Sequence, residues 1–314
     1  MGGLTTQAGD GSERPVVVVM AAGVARRYGG CKPLAPVGLH GEAVLDINVG
    51  DARRAGFGSV VLVLGPATGP AISYHVARTW PDWVPVASTV QSVPLGTVHA
   101  VLRARALVGD RPFAVVNADD IYGVGALRLL ADHLGSTTDH ALVSYELQGT
   151  VVTADPVTRG MCETEEGWLR ALVERRSVVR RPDGTFSADD GLEPKDPPPD
   201  TPVSMNLWGF QPRIWPYLVE ALHHVHPTLA DDGSAPGDPT TSATEVLLPE
   251  VVGAMVRRTG GSAEEAAARR VRVLPTPGRC IGVTHADDVP VVRTELAEMV
   301  GRGRRPESVW ETGP

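Results

Sequence analysis

The sequence predicts an α/β protein built on a doubly wound, mostly parallel mixed sheet of the Rossmann-like type. Three short runs of β-branched and other apolar residues end in small or polar residues, at 16–20, 60–64 and 113–116. Such runs are typical of strands that are buried on both faces. Helical patterns at Leu45–Ala55 and Val98–Ala106 lie between them, and each is followed closely by a glycine. Alternating strands and helices indicate a doubly wound sheet.

The second half of the chain predicts additional, partly antiparallel strands. Strand-like segments separated by turns occur at 140–147, 160–163, 168–174 and 203–210. Helices are expected at 244–258 and 287–300, with a strand at 271–274 between them. The polar stretches 180–202 and 230–242 are rich in Pro, Gly and Asp and are expected to be mobile loops, because they offer little apolar surface to bury.

The chain length favours a single domain. With 314 residues, 42% of them hydrophobic, one large core can form over residues 15–300. An amino-terminal half (15–135) and a carboxy-terminal half (136–300) are expected within it. Residues 1–14 are expected to be a flexible terminus, and 301–314 a solvated tail.

Composition excludes several classes of partner. A net charge of -8 argues against nucleic-acid binding, which requires a basic patch, and favours a small ligand. No apolar run approaches the roughly 18–20 residues of a membrane span, and the start lacks the apolar core of a signal peptide, so no membrane partner and a cytoplasmic location are expected. The three cysteines lack metal-ligand spacing. The oligomeric state stays open, a homo-oligomer included.

The loop after the first predicted strand is the first candidate site, since ligands of open α/β sheets gather at the carboxyl ends of the strands. It reads Ala21-Ala22-Gly23-Val24-Ala25-Arg26-Arg27-Tyr28-Gly29-Gly30-Cys31-Lys32. Small residues let phosphates approach the backbone, and Arg27 and Lys32 can neutralise a triphosphate. Lys32 is one of only two lysines in the chain. Neither a Walker A loop nor a dinucleotide fingerprint is present.

These features resemble the sugar-phosphate nucleotidyltransferase family, whose first strand is followed by L-A-A-G-x-G-[ST]-R-x(n)-K-P. Arg27, Lys32 and Pro33 match in kind and order, whereas Ala25 and Arg26 depart from the pattern. The segment Gln91-Ser92-Val93-Pro94-Leu95-Gly96-Thr97 is similar to the base-reading segment of the family. The resemblance implies a nucleotide-binding set: Ala21, Ala22, Gly23, Gln91, Pro94, Gly96, Thr97 and Asn117.

The resemblance also implies a metal site. Asp119 in Asn117-Ala118-Asp119-Asp120 stands where the family places its metal-binding aspartate, and a carboxylate suits Mg²⁺ as the cofactor. Asp120 is expected instead to cap the helix that begins near Gly125. A second metal contact would have to come from Thr284 or His285, where an aspartate or asparagine is usual in the family. Arg27, Lys32 and Asp119 are thereby the expected catalytic residues.

On the acceptor side, four residues resemble substrate-binding elements of the family, and the resemblance runs from about Val16 to Val292. Gly160 would offer its amide, Glu174 and Asn206 would bind hydroxyl groups, and Arg175 would hold the acceptor phosphate. The cluster of His223, His224 and His226 lies at a predicted helix end and has no acidic or cysteine partner, so a solvated helix terminus is the better interpretation.

The implied function is Mg²⁺-dependent condensation of a nucleoside triphosphate with a sugar 1-phosphate, or a similar phosphate, to give a nucleotide diphospho-sugar and pyrophosphate by in-line attack on the α-phosphorus. The halves 15–135 and 136–300 would bind the nucleotide and the sugar phosphate. Two alternatives stay open: a related glycosyltransferase that consumes a nucleotide-sugar, and a non-catalytic nucleotide-binding regulatory protein. The base and the acceptor are not specified by the sequence.

Overall fold

A computed structural model of the chain describes residues 14–23, 29–151, 155–234, 244–283 and 285–310. Its strands are β1 (Val16–Ala21), β2 (Ser59–Leu64), β3 (Val86–Val90), β4 (Phe113–Asn117), β5 (Asp120–Ile121), β6 (His140–Glu146), β7 (Val157–Glu165), β8 (Trp168–Arg180), β9 (Phe186–Ala188), β10 (Pro202–Phe210), β11 (Val271–Thr276) and β12 (Ile281–Gly282). Its helices are α1 (Val44–Ala55), α2 (Gly69–Thr79), α3 (Thr97–Arg103), α4 (Arg105–Val108), α5 (Val124–Ser136), α6 (Trp215–Val225), α7 (Leu248–Arg257), α8 (Ala263–Ala268) and α9 (Asp288–Gly301).

Four parallel strands form one side of a large mixed sheet. The order across the sheet is β3-β2-β1-β4-β10-β6-β11-β8-β7, with β9 paired to β8. Strand β1 pairs in parallel with β2 and with β4, and β2 pairs in parallel with β3. The three predicted central strands are therefore adjacent and parallel, and the predicted fold class is confirmed.

The remaining strands make the sheet mixed. Strand β10 is antiparallel to β4 and to β6, β7 is antiparallel to β8, and β11 is parallel to β6. The pairing of β10 with β6 is interrupted between Ser204 and Trp208. Asn206, inside this bulge, has φ of 59°. Bulges bend a strand and redirect its side chains, and this one lies beside the candidate site.

Both faces of the sheet are covered, as the continuous apolar composition of β1 requires. Val17 and Val19 belong to a buried cluster that includes residues of α1, α2 and α5. Val16 and Val18 belong to a second cluster with residues of α3, α6 and α7. The three layers leave the strand ends as the accessible edge of the sheet. Among the described helices, none has the length and apolar character needed to cross a membrane.

The end of the chain corrects one sequence-based expectation. Residues 301–314 were expected to be solvated, but the part of the tail that the structure describes packs against α1. Arg305 forms an ion pair with Asp51, which is fully buried on that helix. Val309 is buried as well, and the ring of Trp310 lies 5.6 Å from that of Trp80. The partners are more than 200 residues apart, so no local pattern shows the contact.

The polar stretch 180–202 carries more structure than its composition suggests. It contains β9, which pairs with β8, and Phe186 on this strand is buried. The side chain of Asp190 accepts hydrogen bonds from Arg175 and from the backbone N–H of Arg176. One aromatic side chain and one ion pair therefore attach this stretch to the sheet. Most of the stretch 230–242 lies outside the described residues.

Acid should destabilise the fold through His140. The ring is fully buried, and its Nδ1 accepts a hydrogen bond of 3.1 Å from the backbone N–H of Gln211. Burial, with a smaller effect of Arg213, lowers the pKa of His140 to about 3. Because the unfolded chain takes up this proton below about pH 6.5, the free energy of unfolding should fall by up to about 1.4 kcal/mol per pH unit between pH 6 and 3 from this group.

The variant His140→Asn keeps an acceptor but cannot take up the proton. Urea unfolding between pH 4 and 7.5 should give a shallower fall in stability for the variant than for the wild type. Equal slopes would contradict this role of His140.

Candidate active site

The carboxyl ends of β1 and β4 lie side by side, with Met20 in register with Asn117. The segments that follow the two strands therefore meet at one edge of the sheet. Lys32, in a short 3-10 turn at Lys32–Leu34, donates a hydrogen bond of 2.6 Å from Nζ to Oδ2 of Asp119. Both side chains line a cavity of about 200 Å³, together with Met20, Ala21, Gly23, Pro33 and Ala118. Two of the three expected catalytic residues thus form an ion pair.

The third expected catalytic residue, Arg27, lies outside the described residues, as do Ala25 and Arg26. The start of the loop is fixed by the residue before α2, because Oγ1 of Thr68 donates to the carbonyl oxygen of Ala21 at 3.0 Å. Ala22 is half-buried at this point.

Asp120 does not cap a helix, which corrects the sequence-based expectation. Helix α5 begins at Val124, and its N-cap residue is Gly123. The Oδ2 atom of Asp120 accepts a hydrogen bond of 2.9 Å from the side-chain amide of Asn117. Burial, followed by the charge of Asp119, raises the pKa of Asp120 to about 6. Asp120 is therefore a second carboxylate beside Asp119.

Helix α1 supports this pair of carboxylates. The side-chain amide of Asn48, which is buried on α1, donates to the carbonyl oxygen of Asn117 at 3.1 Å and also to that of Asp120. The side-chain amide of Asn48 therefore fixes the backbone on both sides of Asp119.

Strand β12 brings the expected second metal-contacting segment to the same place. Gly282 pairs with Asp120, and the backbone N–H of Val283 donates to the carbonyl oxygen of Asp119 at 3.3 Å. A Cβ atom at Gly282 would lie 2.6 Å from Oδ1 of Asp120, so a glycine leaves room for that carboxylate. Thr284 lies outside the described residues. His285 donates its backbone N–H to Asp288 at 2.7 Å and lines neither site cavity.

The donor set suits a magnesium ion that arrives with phosphate. Among the described residues, no group of three His, Cys, Asp or Glu side chains is placed to hold a metal alone. Mg²⁺ commonly takes one or two carboxylates and completes its shell with water and substrate phosphates. Asp119 and Asp120 offer the carboxylate oxygens for such a site.

A second cavity of about 460 Å³ opens beside Asn117 and Asp120. Gly160, Glu174 and Asn206, which the resemblance assigned to the substrate, line it together with Asn117. The bulge in β10 presents Asn206 and Met205 to this space. Seven further polar or charged residues of the lining were given no role in substrate binding by the sequence: Asp120, Thr150, Thr158, Arg159, Arg176, Ser204 and Glu250.

Arg175 does not reach this cavity, so its assignment to the acceptor phosphate is wrong. The side chain is 1% exposed, and its Nε and Nη2 atoms donate to the carboxylate of Asp190 at 2.8 and 3.0 Å. The backbone carbonyl groups of Leu192 and Pro194 and the sulfur of Met161 accept its other hydrogen bonds. Side chains alternate along a strand, so Glu174 and Arg176 face the cavity and Arg175 faces away. This period of two could have identified Arg176.

The expected base-reading segment is packed against the backbone before α7. Nε2 of Gln91 donates to the carbonyl oxygen of Gly96 at 3.0 Å, so the amide points inward. Gly96 has φ of 93°, and a Cβ atom there would collide with the backbone of Val246. The hydroxyl of Thr97 accepts a hydrogen bond of 2.7 Å from the backbone N–H of Leu248. Pro94 is exposed. Base reading by this segment stays a prediction.

Replacement of Arg175 should lower the free energy of unfolding and leave the acceptor KM unchanged. Arg175→Met leaves two carbonyl groups without their donor and is expected to lower the free energy of unfolding by about 2 kcal/mol or more. Urea unfolding measures this change, and Arg176→Met, at an exposed neighbouring position, is the matched control. Unchanged stability combined with a raised acceptor KM would restore Arg175 to the substrate site.

Comparisons with known proteins agree with this geometry. The chain resembles solved structures in fold: a UDP-glucose pyrophosphorylase complexed with UDP-glucose (TM-score 0.59, 16% identity, 91% of this chain and 99% of that one), and a putative glucose-1-phosphate thymidylyltransferase from Bacillus anthracis (TM-score 0.61, 10% identity, 89% and 94%). A UDP-glucose pyrophosphorylase from Acinetobacter baumanii is similar as well (TM-score 0.58, 14% identity, 93% and 95%).

At these identities the structural similarities concern the fold. No curated protein matches the sequence. The model of the MobA-like NTP transferase domain matches residues 17–230, which is well over half of the chain and includes Lys32, Asp119 and strands β7, β8 and β10. The chain belongs to the family of MobA-like NTP transferase domains.

Proposed function

We propose that the protein is a Mg²⁺-dependent nucleotidyltransferase that joins a nucleoside triphosphate to a sugar 1-phosphate or a similar phosphate and releases pyrophosphate. The observation that carries the proposal is the Lys32–Asp119 ion pair at the end of β1 and β4, between a small cavity and a larger polar one. The family supports nucleotidyl transfer, and the polar lining of the larger cavity supports an acceptor that bears hydroxyl groups.

In the proposed reaction, an oxygen of the acceptor phosphate attacks the α-phosphorus of the triphosphate. A new oxygen–phosphorus bond forms, and the bond between the α-phosphorus and the bridging oxygen breaks, so that pyrophosphate leaves with the electron pair. The acceptor phosphate is anionic at neutral pH and needs no general base. Catalysis then rests on positioning the two phosphates and on neutralising their charge.

Lys32 and Asp119 would divide this work. Asp119, with Asp120 beside it, would hold a divalent cation, which when bound neutralises charge on the triphosphate oxygens. Lys32 would turn its ammonium group from Asp119 to the phosphates, where a flexible side chain with a compact charge is well suited. The proposed nucleotide half is 15–135, with Ala21, Ala22, Gly23 and the segment 91–97 on the nucleotide.

On the acceptor side, within 136–300, Glu174 would accept hydrogen bonds from hydroxyl groups, and Asn206 would accept or donate them. The backbone N–H of Gly160 would donate a hydrogen bond to a further oxygen. Nucleoside triphosphates are cytoplasmic metabolites, so we place the reaction in the cytoplasm.

Loss of either member of the ion pair should abolish most turnover. Lys32→Ala and Asp119→Ala are each expected to reduce kcat by about 100-fold or more, because each removes preorganised charge from the reacting phosphates. Pyrophosphate release, measured over a panel of triphosphates and sugar 1-phosphates, gives the rate. Lys195→Ala is the matched control, because Lys195 is the other lysine of the chain and lies at an exposed position.

Normal unfolding midpoints for both variants would show that the fold is intact. Near-normal pyrophosphate release by either variant contradicts the proposal. Triphosphate binding without pyrophosphate release in the wild type would favour a regulatory protein instead.

The same ion pair predicts a change in metal affinity. In the protein without nucleotide, the ammonium group of Lys32 is 2.6 Å from the carboxylate that would bind the cation. Lys32→Met removes this competing charge, so binding of Mn²⁺ as a probe should tighten by roughly tenfold, or about 1.4 kcal/mol. Isothermal titration without nucleotide measures this affinity, with Lys195→Met as the control. Unchanged or weaker binding would place the metal away from Asp119.

A further inference from the structure

Arg159 is a positively charged side chain of the acceptor cavity to which neither the sequence nor the family assigned a task. We propose that Arg159 binds the phosphate group of the acceptor, in the role first expected of Arg175. The inference rests on the proposed function, because it assumes an acceptor that carries a phosphate. Four features support it: the position of Arg159, the way its guanidinium is held, the lack of a carboxylate within ion-pair distance and the chemistry of the remaining lining.

The position of Arg159 suits a group next to the reaction centre. It lies on β7 directly before Gly160, next to a register shift between Val157 and Arg159, and lines the same cavity as Asn117, at the end of β4, and Asp120, on β5. The charge of Asp120 acts on Arg159 and favours its charged form, although burial has the larger, opposite effect on its pKa. Of the two arginines that line the cavity, Arg159 is the one whose charge lowers the pKa of Asp120, although burial has the larger, opposite effect on that pKa.

Hydrogen bonds hold the guanidinium group of Arg159 in place but do not use all of its N–H groups. Its Nε atom donates to Oγ1 of Thr150 at 3.2 Å, its Nη2 atom donates to the carbonyl oxygen of Thr150, and its Nη1 atom donates to the carbonyl oxygen of Thr158 at 2.8 Å. A guanidinium group has five N–H bonds, so one on each terminal nitrogen is left. Two N–H groups on a planar, fixed fork match two oxygens of a phosphate.

The charge of Arg159 has no direct counterion in the described part of the chain. No carboxylate there lies within 4.0 Å of its guanidinium nitrogens, whereas Arg175 is paired with Asp190 at 2.8 Å. A cation that is partly removed from water is costly unless an anion compensates it. Arg176, the alternative, has a side chain that is 76% exposed and lies 3.5 Å from Glu174.

The other polar groups of the cavity suit the uncharged part of an acceptor. Glu174, Asn206 and Ser204 present oxygen and amide groups that bind hydroxyls, and Glu250 on α7 adds a further carboxylate. A phosphate is repelled by these carboxylates and attracted to Arg159. The acceptor would therefore bind with its phosphate toward Arg159 and Asn117 and its hydroxyl-bearing body toward Glu174.

The test separates acceptor binding from nucleotide binding. Arg159→Gln is expected to raise the acceptor KM by about 10- to 100-fold, the range for a lost charged hydrogen bond, and to leave the triphosphate KM within about twofold. Arg159→Lys keeps the positive charge but lacks the two N–H groups of the guanidinium fork. Its acceptor KM should therefore lie between that of Arg159→Gln and that of the wild type. Arg170→Gln, on β8 outside the cavity and paired with Glu165, is the control for the loss of one arginine.

A binding measurement replaces the kinetic one if a variant turns over too slowly for its acceptor KM to be determined. Inorganic phosphate, titrated calorimetrically at low ionic strength, should bind more weakly to Arg159→Gln than to the wild type and to Arg170→Gln. Unfolding midpoints identify any variant that has lost its fold. If Arg159→Gln is such a variant, phosphate binding by Arg159→Lys is compared with that by the wild type instead.

The outcomes distinguish this inference from the proposed function. If the wild type releases pyrophosphate and Arg159→Gln retains the acceptor KM and the phosphate affinity, Arg159 is not the phosphate ligand and only the inference fails. A raised acceptor KM in Arg176→Gln, with Arg159→Gln unaffected, assigns the phosphate to Arg176 and likewise overturns it. If no pair of triphosphate and sugar phosphate reacts with the wild type, the proposed function fails first.

Discussion

The parallel pairing of β1 with β4 is the constraint on which the rest of the site depends. Each strand is apolar and buried on both faces, and a slip by one residue would move every side chain to the opposite layer. The register therefore fixes where both strands end. Because the loop to Lys32 leaves one strand and Asp119 follows the other, two oppositely charged side chains 87 positions apart in sequence meet within hydrogen-bonding distance.

This arrangement is reinforced by groups that never face a ligand. Asn48 holds the carbonyl groups of Asn117 and Asp120 from α1, and α1 is in turn held by the tail through the Asp51–Arg305 ion pair. On the acceptor side, Arg175 and Asp190 attach the stretch after β8 to the sheet and so support the wall that carries Glu174. The charges at the cavity surface are thus positioned by one side-chain amide and two ion pairs that lie behind them.

The sequence predicts the central strands from local composition, and the family resemblance assigns Lys32 and Asp119 to one catalytic set, which the pairing of β1 with β4 brings together. It also places Gly160, Glu174 and Asn206 around one cavity, through the order of the family motifs. It misassigns Arg175, because adjacent residues of a strand point to opposite sides and a motif alone does not say which. Asp120 is misassigned because the helix that it was expected to cap has Gly123 as its N-cap residue, and Arg305 escapes it because its partner, on α1, is distant in sequence.

The hydrogen bonds between residues 95–98 and 246–248 join the expected base-reading segment to the first turn of α7, which carries Pro249 and Glu250 into the acceptor cavity. A base that displaced the first segment would move the second, because a Cβ atom at Gly96 would already collide with the backbone of Val246. Linkage makes any such effect reciprocal: the acceptor must then change the affinity for the nucleotide by the same factor. Under the proposed function, the two halves of the site would then share one coupling free energy.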